Sequence, residues 1–82
     1  MIVALDLETT WLDSRNDKII EIALVKIDEN TFEILEEYTT FVNPGIEIPE
    51  IASNITNIFD KDVQDSPKIE EVREKIKEFI WD

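Results

Sequence analysis

The 82-residue sequence contains no cysteine and no histidine, a single glycine and three prolines, and only eight basic residues against twenty acidic ones. Each shortage removes a class of explanation. Without cysteine there is neither a disulfide framework nor a thiolate-ligated zinc site to hold a small chain together. Without histidine there is no Ser/His or Cys/His nucleophile pair, no imidazole general base and no imidazole metal ligand. A formal charge of −12 argues against a basic nucleic-acid groove or a surface for anionic lipid within these residues. Apolar runs are only a few residues long and no charged segment leads into one. No membrane span or secretory signal is therefore expected, and the expected location is the cytoplasm. What is plentiful is apolar side chains, 43% of the chain with 14 isoleucines, and carboxylates. A core for one compact unit, or for part of one, can be built from the former. Any chemistry must use the latter.

Met1-Ile2-Val3-Ala4-Leu5 is a continuous apolar run that gives way to Asp6-Leu7-Glu8-Thr9-Thr10. It reads as a central strand, buried on both faces, that surfaces at its C-terminal end. Its start at residue 1 is what is expected of a natural N-terminus. Residues 13 to 18 are polar and read as a loop. Ile19 to Ile27 is rich in β-branched residues, and the turn Asp28-Glu29-Asn30-Thr31 separates it from a second extended run ending at Val42, so a long antiparallel hairpin is expected. Asn43-Pro44-Gly45 ends it. Pro49 suits the first turn of a helix carrying Ile51, Ile55 and Ile58, and Ser66-Pro67 offers an N-cap and first position for another. In that second helix Ile69, Val72, Ile76, Phe79 and Ile80 keep helical spacing, with Glu71 four residues before Lys75. The expected strands are about 1–8, 19–28 and 32–43, and the expected helices about 50–56 and 67–81. Phe79-Ile80-Trp81-Asp82 carries no stop signal, so the chain is expected to end mid-fold.

Asp6 and Glu8 are two apart on a strand, so both leave one face, roughly 6.6 Å apart along it. A cation can sit between them, as in phosphoryl-transfer sites that hold two ions about 3.5–4 Å apart. An isolated Asp-x-Glu is also what a solvated strand end looks like. Placement directly after an apolar strand separates the two readings, because charges beside low dielectric require compensation.

These residues belong to a longer pattern. Asp6-Leu7-Glu8-Thr9-Thr10-x-Leu12, Asp17-Lys18-Ile19-Ile20-Glu21-Ile22-Ala23, Val42-Asn43-Pro44-Gly45, Ile48-Pro49, Ala52, Ile55-Thr56-Asn57-Ile58, Asp62-Val63 and Asp65-Ser66-Pro67 occur in order. Together they resemble the N-terminal half of the DnaQ-like (DEDD) 3'-5' exonucleases. The resemblance implies an α/β, ribonuclease H-like fold: a three-stranded antiparallel meander with helices, truncated before the later parallel strands. Residues 1–82 would be a single, partial exonuclease domain. It further implies a metal-dependent hydrolase that cleaves phosphodiester bonds from the 3' end of DNA or RNA, in replication or repair. Asp6 and Glu8 would be catalytic and would ligate Mg²⁺ or Mn²⁺, two ions in the intact fold. The backbone around Thr9 and Thr10 would receive the 3'-terminal nucleotide, with Trp11 and Leu12 beside it. The implied partners are a single-stranded 3' end and a DNA polymerase.

The departures from that pattern carry expectations of their own. Trp11 stands where the family usually has glycine, and either fills the nucleotide's space, stacks on a base, or is merely an exposed loop aromatic. Asn57 replaces another usual glycine mildly, since asparagine tolerates left-handed backbone. Thr56 replaces a common histidine. Trp81 takes a small residue's place and is expected to pack against a missing or partner segment. The family's later aspartates and its His or Tyr base lie beyond the matched motifs. No other acid is expected to replace them: Glu21 lies inside the hairpin, Asp13 and Asp17 in a loop, and Asp60, Asp62 and Asp65 cap or solvate helices. These 82 residues are thus expected to be inactive alone. The resemblance also implies that residues 1 to 8 stand at one edge of the meander, without the parallel strand that pairs with the first strand's other side, and self-association through residues 2 to 7 or an uncovered face is expected. Two alternatives stay open: a non-catalytic acidic interaction module that pairs with another chain, and an acidic calcium-binding or DNA-mimic domain.

Overall fold

The structure, a computed structural model, describes residues 1–13 and 15–81. Ser14 in the polar loop and Asp82, where the chain is expected to stop, lie outside the described residues. The elements run in the order β1 (Ile2–Thr9), β2 (Ile19–Ile27), β3 (Ile34–Phe41), α1 (Glu50–Thr56), α2 (Asp60–Val63) and α3 (Ile69–Trp81). The strands form one antiparallel sheet in the order β1-β2-β3.

Strand β2 is central, and its side chains alternate: Ile20, Ile22, Leu24 and Lys26 are buried, while Ile19, Glu21, Ala23 and Val25 are half-buried. The buried set faces the helices. Ile22, Val42 and Val72 form one cluster with Ile19, Tyr38, Ile69 and Ile76 packed against it, which seats α3 on this face. Ile20, Ile48, Ala52, Ile58 and Val63 form a second cluster with Phe41, which seats α1 and α2 at the sheet's end. Burying a side chain such as Val72 or Phe79 stabilises the docked helix by roughly 1.5–3 kcal/mol. Lys26 is buried as well. Its Nζ lies 3.3 Å from Glu36 Oε1 and 4.6 Å from the centre of the Phe79 ring, so carboxylate and ring compensate the buried charge.

Several expectations need correcting. The apolar opening does not form a strand buried on both faces, since Ile2, Leu5 and Leu7 are exposed; β1 does lie at one edge of the meander, as the resemblance implies. Its composition fits a central strand, but only β2 pairs with it among the described residues. Strand β3 begins at Ile34 because the Asp28 carboxylate accepts the N–H groups of Asn30 and Thr31, at 2.8 and 3.0 Å. The resulting turn extends through Phe32, whose φ is 61°. At the other end Asn43 leaves β3 to pair with Lys68, donating its N–H to the Pro67 carbonyl at 2.9 Å. That pairing occupies Lys68, whose carbonyl accepts the Glu71 and Val72 N–H groups at 3.0 and 3.1 Å, so α3 starts at Ile69 and neither Ser66 nor Pro67 is its cap or first residue. Helix α1 turns Ala52 and Ser53 inward and leaves Ile51 and Ile55 exposed. The short helix α2 has no counterpart among the expected elements. Asp62 accepts the Phe59 N–H at 2.9 Å and Asp60 accepts the Ile48 N–H at 2.9 Å, so side-chain acceptors organise what reads as a polar stretch. On α3 the ion pairs are Lys75–Glu78 and Lys77–Glu74, not Glu71–Lys75. Within these residues Trp81 is 83% exposed.

Candidate active site

The C-terminal half of β1 carries Asp6 and Glu8 on the sheet face turned away from α3. Directly opposed residues of an antiparallel pair share a face. Asp6 lies opposite Ala23 and Glu8 opposite Glu21, which belong to the half-buried set of β2. Glu8 is half-buried and Asp6 exposed. Immediately after Glu8 the register slips, so that Thr9 pairs with Ile19 and Ile20 is passed over. Such a bulge bends the strand and re-aims the residues beyond it; here it turns the chain away from the sheet into the loop.

Glu21, which the sequence places merely inside the hairpin, is brought to the site by the register. Its pKa is raised, first by burial, then by the nearby charges of Glu8 and Asp6. The fold thus gathers negative potential at this end of the β1–β2 pair. A register count could have found Glu21, but the loop joining β1 to β2 is too long for its length to set the pairing.

That loop is held from beneath. Thr10 is fully buried; its N–H donates to the Lys18 carbonyl at 3.0 Å, and its hydroxyl accepts the Lys18 N–H at 3.0 Å and donates to Asp17 Oδ1 at 3.4 Å. The same Asp17 oxygen accepts the Leu12 N–H. Asp17 is therefore the organiser of the loop, a role its place in a polar cluster does not reveal. Asp13 binds the Arg15 and Asn16 N–H groups and the Asn16 amide, which holds its carboxyl below the usual range, the Asn16 side chain contributing most. Above this frame stands Trp11, with φ 58°. That left-handed conformation costs a non-glycine residue roughly 1–2 kcal/mol. Trp11 and Leu12 are 54% and 47% exposed, and with Thr9, Asp13 and Asp17 they line a shallow hollow.

The structure thus places Asp6 and Glu8 on one strand face and Thr9 to Leu12 in the loop that continues from it. The Thr10 side chain is committed to the loop's own hydrogen bonds. A more enclosed groove of about 290 Å³ lies between Lys18, Ile19, Asn43 and Lys68, and no sequence-predicted site residue lines it. The site is assigned by its carboxylates, not by concavity. Among the described residues no three His, Cys, Asp or Glu side chains are gathered closely enough to hold a metal ion by themselves. No helix among them is long and apolar enough to cross a membrane.

Against this geometry the comparisons with known proteins are decisive. The RNase T family, described as exonuclease, matches residues 3–82. The chain belongs to this exonuclease family. It is 42% identical over 78 residues to a DNA polymerase III PolC-type of Clostridium perfringens, covering 95% of this chain and 5% of that protein. To a DNA polymerase III PolC-type of Staphylococcus epidermidis it is 41% identical over 80 residues, 98% of this chain and again 5% of the relative. The chain thus spans about one-twentieth of the length of these relatives. Among solved structures, Exonuclease X in complex with 5' overhanging duplex DNA matches with a TM-score of 0.74 and 32% identity, over 88% of this chain and 40% of that one. The nuclease domain of 3'hExo, a DEDDh family member bound to rAMP, matches with a TM-score of 0.83 and 21% identity, over 95% and 42%. The meander with its helices is therefore of the ribonuclease H-like type found in exonuclease domains, and the family's chemistry is that of a nuclease, a hydrolase.

Proposed function

We propose that residues 1–82 contribute the first metal-binding strand and the nucleotide-facing loop of a 3'-5' exonuclease domain. The observation that carries this is the pair Asp6 and Glu8 on one face at the end of β1, with Glu21 opposite Glu8. Hard divalent cations take oxygen ligands, so the donor set suits Mg²⁺ or Mn²⁺ and not a soft metal. Asp6 and Glu8 would hold the ion, and the Glu21 charge adds to the potential that attracts it. Once bound, such ions activate water and neutralise charge at the scissile phosphate, two of them in a complete site. The chain's own contribution is positional: β1 fixes the two carboxylates, and the loop backbone at Thr9 and Thr10, with Trp11 and Leu12 beside it, receives the 3'-terminal nucleotide. The substrate is a single-stranded 3' end. Both relatives are named DNA polymerase III PolC-type, which supports a cytoplasmic role in DNA replication or repair beside a polymerase.

Two carboxylates leave an octahedral cation mostly hydrated, so the 82-residue chain should bind Mn²⁺ weakly and release no mononucleotides. A general base is worth roughly 10²–10⁴-fold, and no histidine is present to act as one. Incubating the purified chain with a 3'-labelled single strand and Mn²⁺ tests this. Metal-dependent mononucleotide release lost in Glu8→Ala would show that another copy supplies the missing groups.

The unpaired edge of β1, with Ile2, Leu5 and Leu7 exposed, favours a second reading: an interaction module that pairs with another chain through this edge. The outcome of Asp6→Ala separates the two, since a module has no need of the metal.

A further inference from the structure

At the end of the sheet remote from Asp6 and Glu8, the β2–β3 hairpin closes on a residue that gains nothing from its place there. Phe32 has φ 61°, a left-handed conformation that a bulky side chain rarely adopts and that glycine takes without strain. Its ring is 71% exposed and belongs to neither hydrophobic cluster. The turn imposes the conformation. Phe32 donates its N–H to the Asp28 carbonyl at 2.8 Å, Asp28 donates its own to the Glu33 carbonyl at 2.9 Å, and the Asp28 carboxylate binds Asn30 and Thr31. A strained aromatic held out in solvent by its surroundings points to a use for the side chain.

Phe32 does not stand alone. Ile2 lies opposite Ile27 and Ile27 opposite Ile34, so the three share the sheet face turned away from α3. Ile2 and Ile34 are exposed, as are Met1 and Leu35 beside them. The row crosses three strands, about 10 Å, which is the width of an α-helix. Its border is acidic: Asp28, Glu29, Glu33, Glu36 and Glu37 all fall within residues 27–37, where no basic residue occurs. Glu29 is paired with the N-terminal ammonium and Glu36 with Lys26, while among the described residues no cation pairs with Glu33 or Glu37. Carboxylates around an apolar strip repel nucleic acid and anionic lipid and attract Lys and Arg.

We propose that this hairpin end is a docking surface for a basic amphipathic helix of a partner protein, with Phe32 as the anchor seated among the helix's apolar side chains. Ile2 precedes Asp6 by four residues on β1, about 13 Å by the rise of a strand, so a helix docked here leaves the carboxylate pair open whatever that pair binds.

The probe is a synthetic helix of about 18 leucines and lysines, long enough to hold its shape, with the leucines along one face. Its controls are the same composition scrambled and the same helix with glutamate in place of lysine. Labelled peptide is titrated with the full 82-residue chain, reading fluorescence anisotropy, and amide shifts on the chain are mapped by NMR. The leucine/lysine helix should bind, with shifts centred on residues 2–3 and 27–37, and added salt should weaken it. Scrambling should weaken binding at least about tenfold because the apolar face is lost, and the glutamate helix should not bind. Phe32→Gly leaves the charge unchanged and relieves the strained backbone, so its melting temperature should not fall, yet it should lose at least about tenfold in affinity. Glu33→Lys combined with Glu37→Lys should also weaken binding, with Phe32 intact. Equal affinity for the scrambled peptide, affinity retained in Phe32→Gly, shifts centred on Glu8 and Glu21, or no binding at all would overturn the proposal. So would self-association that Phe32→Gly abolishes, which would make a second copy of the chain the occupant.

Discussion

Glu21 faces Glu8 across the β1–β2 ladder, and its raised pKa reflects burial first and the neighbouring carboxylates second. An acid whose folded-state pKa is raised stabilises the fold fully below its unfolded value, here the ordinary 4.5, and loses that contribution as pH rises through the folded value. Glu21→Gln should therefore melt higher than the unmodified chain at neutral pH. The difference should close below about pH 4, where both states of Glu21 are protonated; thermal melts across that range check this. Left-handed positions make a second residue-level comparison. Asn57 closes α1 at φ 62°, in keeping with its replacement of a glycine. Asn57→Ala should cost about 1 kcal/mol while Asn57→Gly costs nothing, measured by urea denaturation. Trp11 is legible as an oddity in the sequence, but its strain and exposure are backbone facts that residue type does not encode.

At the level of elements, the β1–β2 loop depends on one carboxylate. Asp17→Ala removes the acceptor for the Leu12 N–H and for the Thr10 hydroxyl. It should cost about 1 kcal/mol, discounted because the group is exposed, and should speed amide exchange at Leu12 and Lys18. The docking of α3 is a packing matter: Val72 is fully buried against Ile22 and Val42. Val72→Ala should lower stability by about 2 kcal/mol in the same denaturation assay. Periodicity reveals this helix because Val72 and Phe79 keep one face inward over several turns. It misjudges α1, a helix so short that Ile51 and Ile55 can be exposed while Ala52 packs against Ile20. It misses α2 altogether, since α2 is held by the Asp60 and Asp62 carboxylates rather than by an apolar stripe. The delayed start of α3 stems from the Asn43–Lys68 pairing, a contact between residues 25 positions apart that no local propensity anticipates.

For the whole molecule, the hairpin-rich order of elements and the Asp6/Glu8 pair are both legible in the sequence, because strand alternation and an acid pair at a strand's end are local signals. The long-range assembly is not. Strand β1 has a central strand's composition and an edge strand's position, with Ile2, Leu5 and Leu7 exposed. Unpaired apolar edges recruit other strands, so sedimentation should show association that grows with concentration and with salt, which screens the net charge of −12. A clean monomer at high concentration and high salt would contradict that. The central claim is that Asp6 and Glu8 form a cation site, and calorimetric titration of Mn²⁺ into the unmodified chain, Asp6→Ala and Glu8→Ala tests it most directly. Weak binding by the unmodified chain and none by either variant is the expected result. Mn²⁺ binding that survives Asp6→Ala unchanged would contradict it.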